Sequence, residues 1–326
     1  MQNDLSAART GKQQAHTWIT RSFKDNLARR TFFLVSLVPV LLFLAIVGAL
    51  LVKSWPILKA QPIWTLLSGS VWQPLKGAFG FYPFIAGTFW VTLVSMVLAV
   101  PPCILTAIYL AEYAHSRTRS TAKPILDLLA AIPSVVYGVW GILAIVPVVR
   151  YVGPYFDKVL GFLPVFKDTN PTGFSILAGG VVLAVMVAPF IIAVTLEVLL
   201  TVPNGIREAS LAVGATKWQT IIHGVLPHTL PGIIAGVVLG MSRSLGETMA
   251  VLMVVGNVAK VPGSIFDPAY PLPALIANNY GEMMSIPLYD SALLTAALIL
   301  LVIVLFFNIL STLFLRRITR TASAGG

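Results

Sequence analysis

The chain predicts an all-α, polytopic membrane protein with six transmembrane helices, and three observations predict it. Hydrophobic residues fill 57% of the 326 positions and charged residues only 10%, too few charges to cover a soluble surface of that size. Mean hydropathy is +0.87. The apolar residues also gather into runs of about 20 or more, the length that crosses roughly 30 Å of hydrocarbon as a helix.

Taken in order, the expected spans are Thr31–Val52, Phe84–Leu110, Ile125–Val149, Phe174–Leu199, Leu230–Gly256 and Ser291–Leu315. They form a transmembrane domain over 31–315, with an N-terminal arm over 1–30 and a short tail over 316–326. The arm is polar and basic, partly amphipathic around His16–Leu27, and suited to lying along a membrane surface. No short apolar stretch with a small-residue cleavage site precedes the first span, which is therefore expected to be retained. Pro101, Pro102, Pro133 and Pro189 fall inside spans, where neighbouring helices re-satisfy the freed backbone groups.

Charge sets the expected orientation. With the N-terminus inside, the inner segments hold 14 Lys and Arg and the outer segments 7, leaving Arg243 within span five. Basic residues accumulate on the cytoplasmic side, so both termini are expected there, with the segment between spans four and five. Positive-inside topology and attraction to anionic lipid account for the net charge of +10 without invoking nucleic acid. Cys103 is the only cysteine, which excludes an intrachain disulfide. His16, His115, His223 and His228 are scattered without metal spacing or a nucleophile partner, so neither a metal site nor a catalytic constellation is expected. The outer segment Asn257–Asp290 contains Pro271, Pro273 and a short apolar run, which predicts a short helix after Pro273 at the outer face. Simple loop packing accounts for that segment, and a lid or docking surface is the alternative.

Residues 203–227 are too polar to span. Asn204 is placed to cap a helix from about Gly205, with Glu208 early in it, and Gly214 is a natural stop. A second short helix over Thr216–His223 is expected to end at Gly224 before Leu226-Pro227. Two short helices joined by a bend make a compact knob that moves as a unit; an ordinary helical connector would look the same from composition. The chain has no Gly-x-x-x-x-Gly-Lys-Ser/Thr phosphate loop.

Span five carries Arg243 at its midpoint and Glu247 one turn on. A mid-membrane Arg costs about 2.5–3.5 kcal/mol on insertion scales. At about 100° per residue both project from the stripe of Gly232, Gly236 and Gly240, which predicts close helix packing there. The pair is either a structural i,i+4 ion pair or an anion site, in which the Arg243 fork binds an oxyanion. In the second case Glu247 orients Arg243 or accepts a hydrogen bond from a protonated oxyanion.

Glu208-Ala209, Gly214 and Leu226-Pro227 fall in register with the EAA loop of ABC-importer permeases, which this segment resembles. Ser210 stands where that pattern has Ala, and Gly224 where it has Ile. Arg243-Ser-Leu-Gly-Glu247-Thr-Met-Ala250 with Gly256-Asn257, and Ile132-Pro-Ser134-Val-Val-Tyr137-Gly138 in span three, resemble segments of phosphate-specific permeases of the PstC type. The resemblance implies a MetI-like permease architecture in a bacterial inner membrane. It assigns ATPase coupling to Glu208, Ala209 and Gly214, with Lys217 and Trp218 as neighbours. It assigns the substrate path to Arg243 and Glu247, with Ser134, Tyr137 and Asn257. It also implies a second permease subunit, an ABC ATPase dimer holding ATP and Mg, an extracytoplasmic phosphate-binding protein, and phosphate as cargo; this chain itself would hold no cofactor. Sulfate or molybdate is the alternative cargo. An ion-driven anion transporter or channel would explain Arg243 but not the loop, and a membrane-embedded enzyme lacks its catalytic residues.

Overall fold

A computed structural model describes the backbone of residues 2–168, 170–282 and 285–324, and the side chains of 25 and 27–313 within those ranges. The chain divides into two units, Met1–Lys53 and Ser54–Gly326. In the first, the backbone belongs to helix α1, Gln2–Ala60. It shows no break near residue 30, so the arm continues directly into the first span. Phe32, Phe33, Leu41, Leu44 and Val52 are exposed on it, as suits a helix whose solvent is lipid. Most of the His16–Leu27 stretch lies outside the described side chains.

The second unit begins with α2, Ile63–Ser68, and a small antiparallel ribbon of β1, Trp72–Gln73, and β2, Ala78–Phe79, in which Trp72 pairs with Phe79. Next come α3, Tyr82–Ile108, which ends in a π-helical segment at Tyr109–Tyr113, and α4, Ser116–Ala131. Helix α5, Ser134–Trp140, continues through a π segment at Gly141–Ile145 into α6, Val146–Leu160. Helix α7 is Ile176–Leu200 and α8 is Asn204–Ala212. Then α9, Lys217–Gln219, runs through a π segment at Thr220–Val225 into α10, Leu226–Leu245. The remaining helices are α11, Met249–Val254, α12, Leu272–Asn279, and α13, Tyr289–Ala324. Among the described residues six helical stretches are long and apolar enough to cross a membrane.

Helix α7 is the centre of the bundle. Its run of Ile, Leu, Val and Ala is apolar round most of the helix, as suits one buried on most sides. Helix α3 lies parallel to it: Val91 meets Gly179, Val94 meets Gly180, and Cys103 Sγ approaches Ala188 O at 3.7 Å. Helix α10 runs the other way, with Gly232 against Val198, Gly236 against Val194 and Gly240 against Ile191. The expected glycine stripe is thus the α7 contact. A Cβ on Gly240 would sit 2.7 Å from Ile191 Cγ1, so only glycine allows this approach.

Two spans differ from expectation. The third begins at Ser134, not Ile125, because Pro133 holds Ile132 extended (φ −63°, ψ 129°) and ends α4 there. Helix α4 is amphipathic and has no fully buried residue, so the apolar residues within 125–131 belong to a surface helix and not to a span. The fifth is not one helix over 230–256. It starts at Lys217 as a continuous 29-residue helix, stops at Leu245, and resumes as α11. The segment after Asn257 also packs more deeply than a loop: Leu272, Pro273, Ala274 and Leu275 of α12 are buried, and Leu272 and Leu275 share a core cluster with Phe81, Phe84 and Tyr289.

Candidate functional site

The knob forms from local chemistry. Helix α8 starts one residue earlier than expected, with Pro203 at the cap and no side-chain cap bond; Asn204 is its first residue, and Glu208 lies past the first turn. Gly214, at φ +86°, ends it. Gly214 N–H donates to Leu211 O (3.0 Å) and Ala215 N–H to Ser210 O (3.3 Å), the paired bonds of a Schellman turn. Thr216 and Gln219 then form a capping box. The expected stop at Gly224 is absent, because the chain widens into the π segment and runs on into α10. That widening accommodates Pro227, which follows it within the continuous helix.

Both departures from the EAA pattern fall between the two halves of the knob. Ser210 Oγ lies 3.0 Å from Thr220 Oγ1, a hydrogen bond that Ala could not make. A Cβ on Gly224 would lie 3.5 Å from Ile206 Cγ2, so the apolar contact at that position is met by Ile206 from α8. Glu208, Ala209, Gly214, Lys217 and Trp218 are all exposed. Beside them Leu211 and Val213 stand 50% and 84% exposed, with Trp218 at 51%. Leu211 and Val213 were not singled out from the sequence; their place in an otherwise polar loop was the available signal.

The knob is anchored by cations. Arg207 donates to Glu112 from Nη2 (2.7 Å) and Nε (3.1 Å), and also to Val202 O and Leu199 O. Lys217 Nζ lies 4.7 Å from the centre of the Tyr113 ring. Arg119 donates to Leu110 O and Ala111 O, and a cavity of about 410 Å³ lies among Glu112, Arg119, Arg207, Lys217 and Thr220. Nearby, its hydrogen bond from Nζ to Glu197 raises the pKa of the exposed Lys123 above the usual lysine value.

The second location is the break in the fifth span. Gly240 meets Ile191, so Leu245 and Gly246 fall about one and a half turns further, near the middle of α7. Arg243 is in the last turn of α10, where its charge suits the helix dipole. Glu247 lies beyond the break, and its Oε1 accepts the Ala250 N–H at 3.2 Å, so its charge serves the start of α11. The two charges therefore answer separate helix ends. This overturns the i,i+4 ion pair: among the described residues Arg243 has neither an ion-pair nor a hydrogen-bond partner. Ser244 Oγ, next to it, is buried and also unpartnered; the sequence reading passed over this residue because serine is unremarkable in a membrane helix.

Helix α5 is packed directly on α11. A Cβ on Gly138 would lie 2.6 Å from Met253 Sδ and 3.3 Å from Ala250 Cα, and one on Gly141 would strike Val254 and Val182. Tyr137 shares a buried cluster with Ala250, Val251 and Val254 of α11. Tyr137 is buried and donates its hydroxyl to Leu129 O at 2.8 Å. Ser134 is one turn away, partly buried at the start of α5. Asn257 stands apart, past the far end of α11. It has φ 52°, donates Nδ2 to Leu252 O, and keeps a buried Oδ1 with no partner. Broken helices at membrane depth are tolerated where they are buried in protein or line a hydrated path, and their ends bind ions. A guanidinium with free donors at such a break can hold an oxyanion through paired, charge-assisted hydrogen bonds.

Residues 103–320 match the family described as binding-protein-dependent transport system inner membrane component. The phosphate transport system permease protein PstC of Xylella fastidiosa (strain 9a5c) is 35% identical over 310 residues, covering 92% of this chain and 94% of its own length. Its Haemophilus influenzae counterpart is 34% identical over 309 residues, covering 94% of this chain and 96% of its own. The structure of a bacterial ABC transporter involved in the import of alginate superposes with a TM-score of 0.57 at 21% identity, over 90% of this chain and 98% of that one; the likeness is one of fold.

Proposed function

Because the chain belongs to the family of binding-protein-dependent transport system inner membrane components, we propose that it is the membrane-spanning permease subunit of an ATP-driven phosphate importer. The observation that carries the cargo assignment is Arg243, without a hydrogen-bond or ion-pair partner among the described residues, at a mid-span helix break. Relatives at 34–35% identity bear the name of phosphate permeases, which supports phosphate among the tetrahedral oxyanions.

In this reading the chain pairs with a second permease subunit and encloses the path with it. Its exposed knob, with Glu208, Ala209, Gly214 and Trp218 around Leu211 and Val213, seats in an ABC ATPase dimer that holds ATP and Mg. The knob and both termini are cytoplasmic, in a bacterial inner membrane. A phosphate-binding protein delivers cargo from the other side. Arg243 receives the phosphate, and Tyr137 and Ser134 of α5 are assigned to the same path. Glu247 Oε1 is held by the Ala250 N–H, and its second oxygen would accept the P–OH of hydrogenphosphate. Sulfate is fully ionised at neutral pH and has no such proton to offer, which supplies a physical basis for selection. ATP hydrolysis belongs to the partner, and this chain supplies path and coupling.

The test is ATP-dependent uptake of labelled phosphate by the reconstituted transporter, with sulfate and molybdate as competitors. Phosphate uptake that resists both supports the assignment. Competition by sulfate at equal concentration would shift the cargo, and uptake without the ATPase would shift the class to a secondary transporter.

A further inference from the structure

Four consecutive residues at the end of α3 are held by three cations from three different segments. Leu110 O and Ala111 O accept from Arg119 Nε and Nη2 at 2.9 and 2.6 Å. The Glu112 carboxylate accepts three bonds from Arg207, the shortest 2.7 Å. The Tyr113 ring lies under Lys217 Nζ. Arg207 belongs to α8 and Lys217 to the helix that becomes α10, so both halves of the knob grip the same π segment.

Chain connectivity makes this placement informative. The knob is covalently continuous with α7 and α10, which it would move in any case. Helix α3 has no such link, since Glu112 and Arg207 are 95 residues apart. The Arg207 and Glu112 side chains are only 18% and 7% exposed. An apolar contact would commonly serve stability as well as a buried ion pair does, so the pair is better explained by the geometry it imposes. Arg207 also holds the Leu199 and Val202 carbonyls, so a single guanidinium fixes α8, the end of α7 and the end of α3 in one register.

At its other end α3 meets the α12 segment. Thr88 Oγ1 accepts the Leu272 N–H at 2.9 Å, and Gly87 lies against Ala269 and Tyr270 so closely that a Cβ there would sit 3.3 Å from both. A shift of α3 along its length is therefore felt at residues 269–272, across the whole bundle from the knob.

We propose that Arg207 and Glu112 are the contact through which the ATPase-docking knob drives α3, and that α3 carries the stroke to the buried segment around Leu272. Both act as positioning residues and neither touches cargo. The proposal rests on the reading that the knob docks on the ATPase.

The experiment uses the complete reconstituted transporter with Arg207→Gln, Arg207→Lys, Glu112→Gln and the Glu112→Arg/Arg207→Glu exchange. The readouts are ATPase retention, binding-protein-stimulated ATP hydrolysis, and phosphate moved per ATP. The expected result is an ATPase that stays bound and hydrolysing while phosphate per ATP falls at least about tenfold in either Gln variant. Arg207→Lys, which keeps the charge but loses the fork, falls between them and wild type, and the exchange recovers part of the loss. Unchanged phosphate per ATP in Arg207→Gln overturns the proposal. So does a loss of uptake that merely tracks lost assembly, because that is what a purely structural clamp gives. Docking is read separately from a Trp218→Glu chain: full ATPase retention and coupling there counts against the docking reading.

Discussion

Arg243 and Glu247 are four residues apart, yet they do not meet: Glu247 Oε1 accepts the Ala250 N–H at 3.2 Å, and among the described residues the Arg243 guanidinium has no hydrogen-bond or ion-pair partner. The turn at Gly246 separates them, so each charge complements the dipole of its own helix, α10 for the cation and α11 for the carboxylate. The consequence, among the described residues, is a cation within a candidate span whose donors are unspent.

Glu247 is expected to have a separable structural part. Glu247→Gln keeps an oxygen for the Ala250 N–H, so the thermal midpoint of the purified complex should barely move. Glu247→Ala loses a cap-like bond, at a cost of about 1 kcal/mol, and should unfold earlier. Equal stability of the two variants would show that the Ala250 contact contributes nothing.

Gly240 tests the α7–α10 contact. Gly240→Val pushes methyl groups into Ile191, whose Cγ1 already stands 2.7 Å from a built Cβ. Overpacking of this kind costs about 1–3 kcal/mol. Yield of folded complex should fall, and Ile191→Ala in the same chain should recover much of it. Failure of that rescue would place the damage elsewhere.

Gly214 has nothing within 4 Å of a built Cβ, but it sits at φ +86°. A side chain there meets backbone strain, not a clash. Gly214→Val should destabilise the knob by about 1–2 kcal/mol and weaken ATPase retention, whereas Gly214→Asn, which tolerates that conformation, should retain it. ATPase pull-down from membranes checks both, and indistinguishable retention would argue against the turn as the determinant.

What could be read in advance follows physical reach. Hydropathy located six spans, and the Glu208, Gly214 and Pro227 spacing located the knob, because both signals are local in the chain. Span three was placed too early since Ile125, Leu128 and Leu129 count as apolar whether they face lipid across a membrane or one side of the surface helix α4. Only the geometry at Pro133 separates the two. The break in span five left a trace in Gly246 and Thr248, a small residue followed by a capping type, but hydropathy continues across it. Arg207–Glu112 left no trace, since nothing local connects residues 95 positions apart. The unsatisfied Ser244 Oγ likewise depends on which neighbours α10 meets.

The most direct measurement is the initial rate of ATP-dependent phosphate uptake by proteoliposomes carrying the Arg243→Gln transporter, with ATPase content measured in the same preparation. Hydrogen bonds to a charged group contribute about 1.5–3 kcal/mol, so loss of a paired fork should slow uptake roughly ten- to hundredfold while the ATPase remains bound. Uptake near the wild-type rate in a fully assembled Arg243→Gln complex would contradict the account.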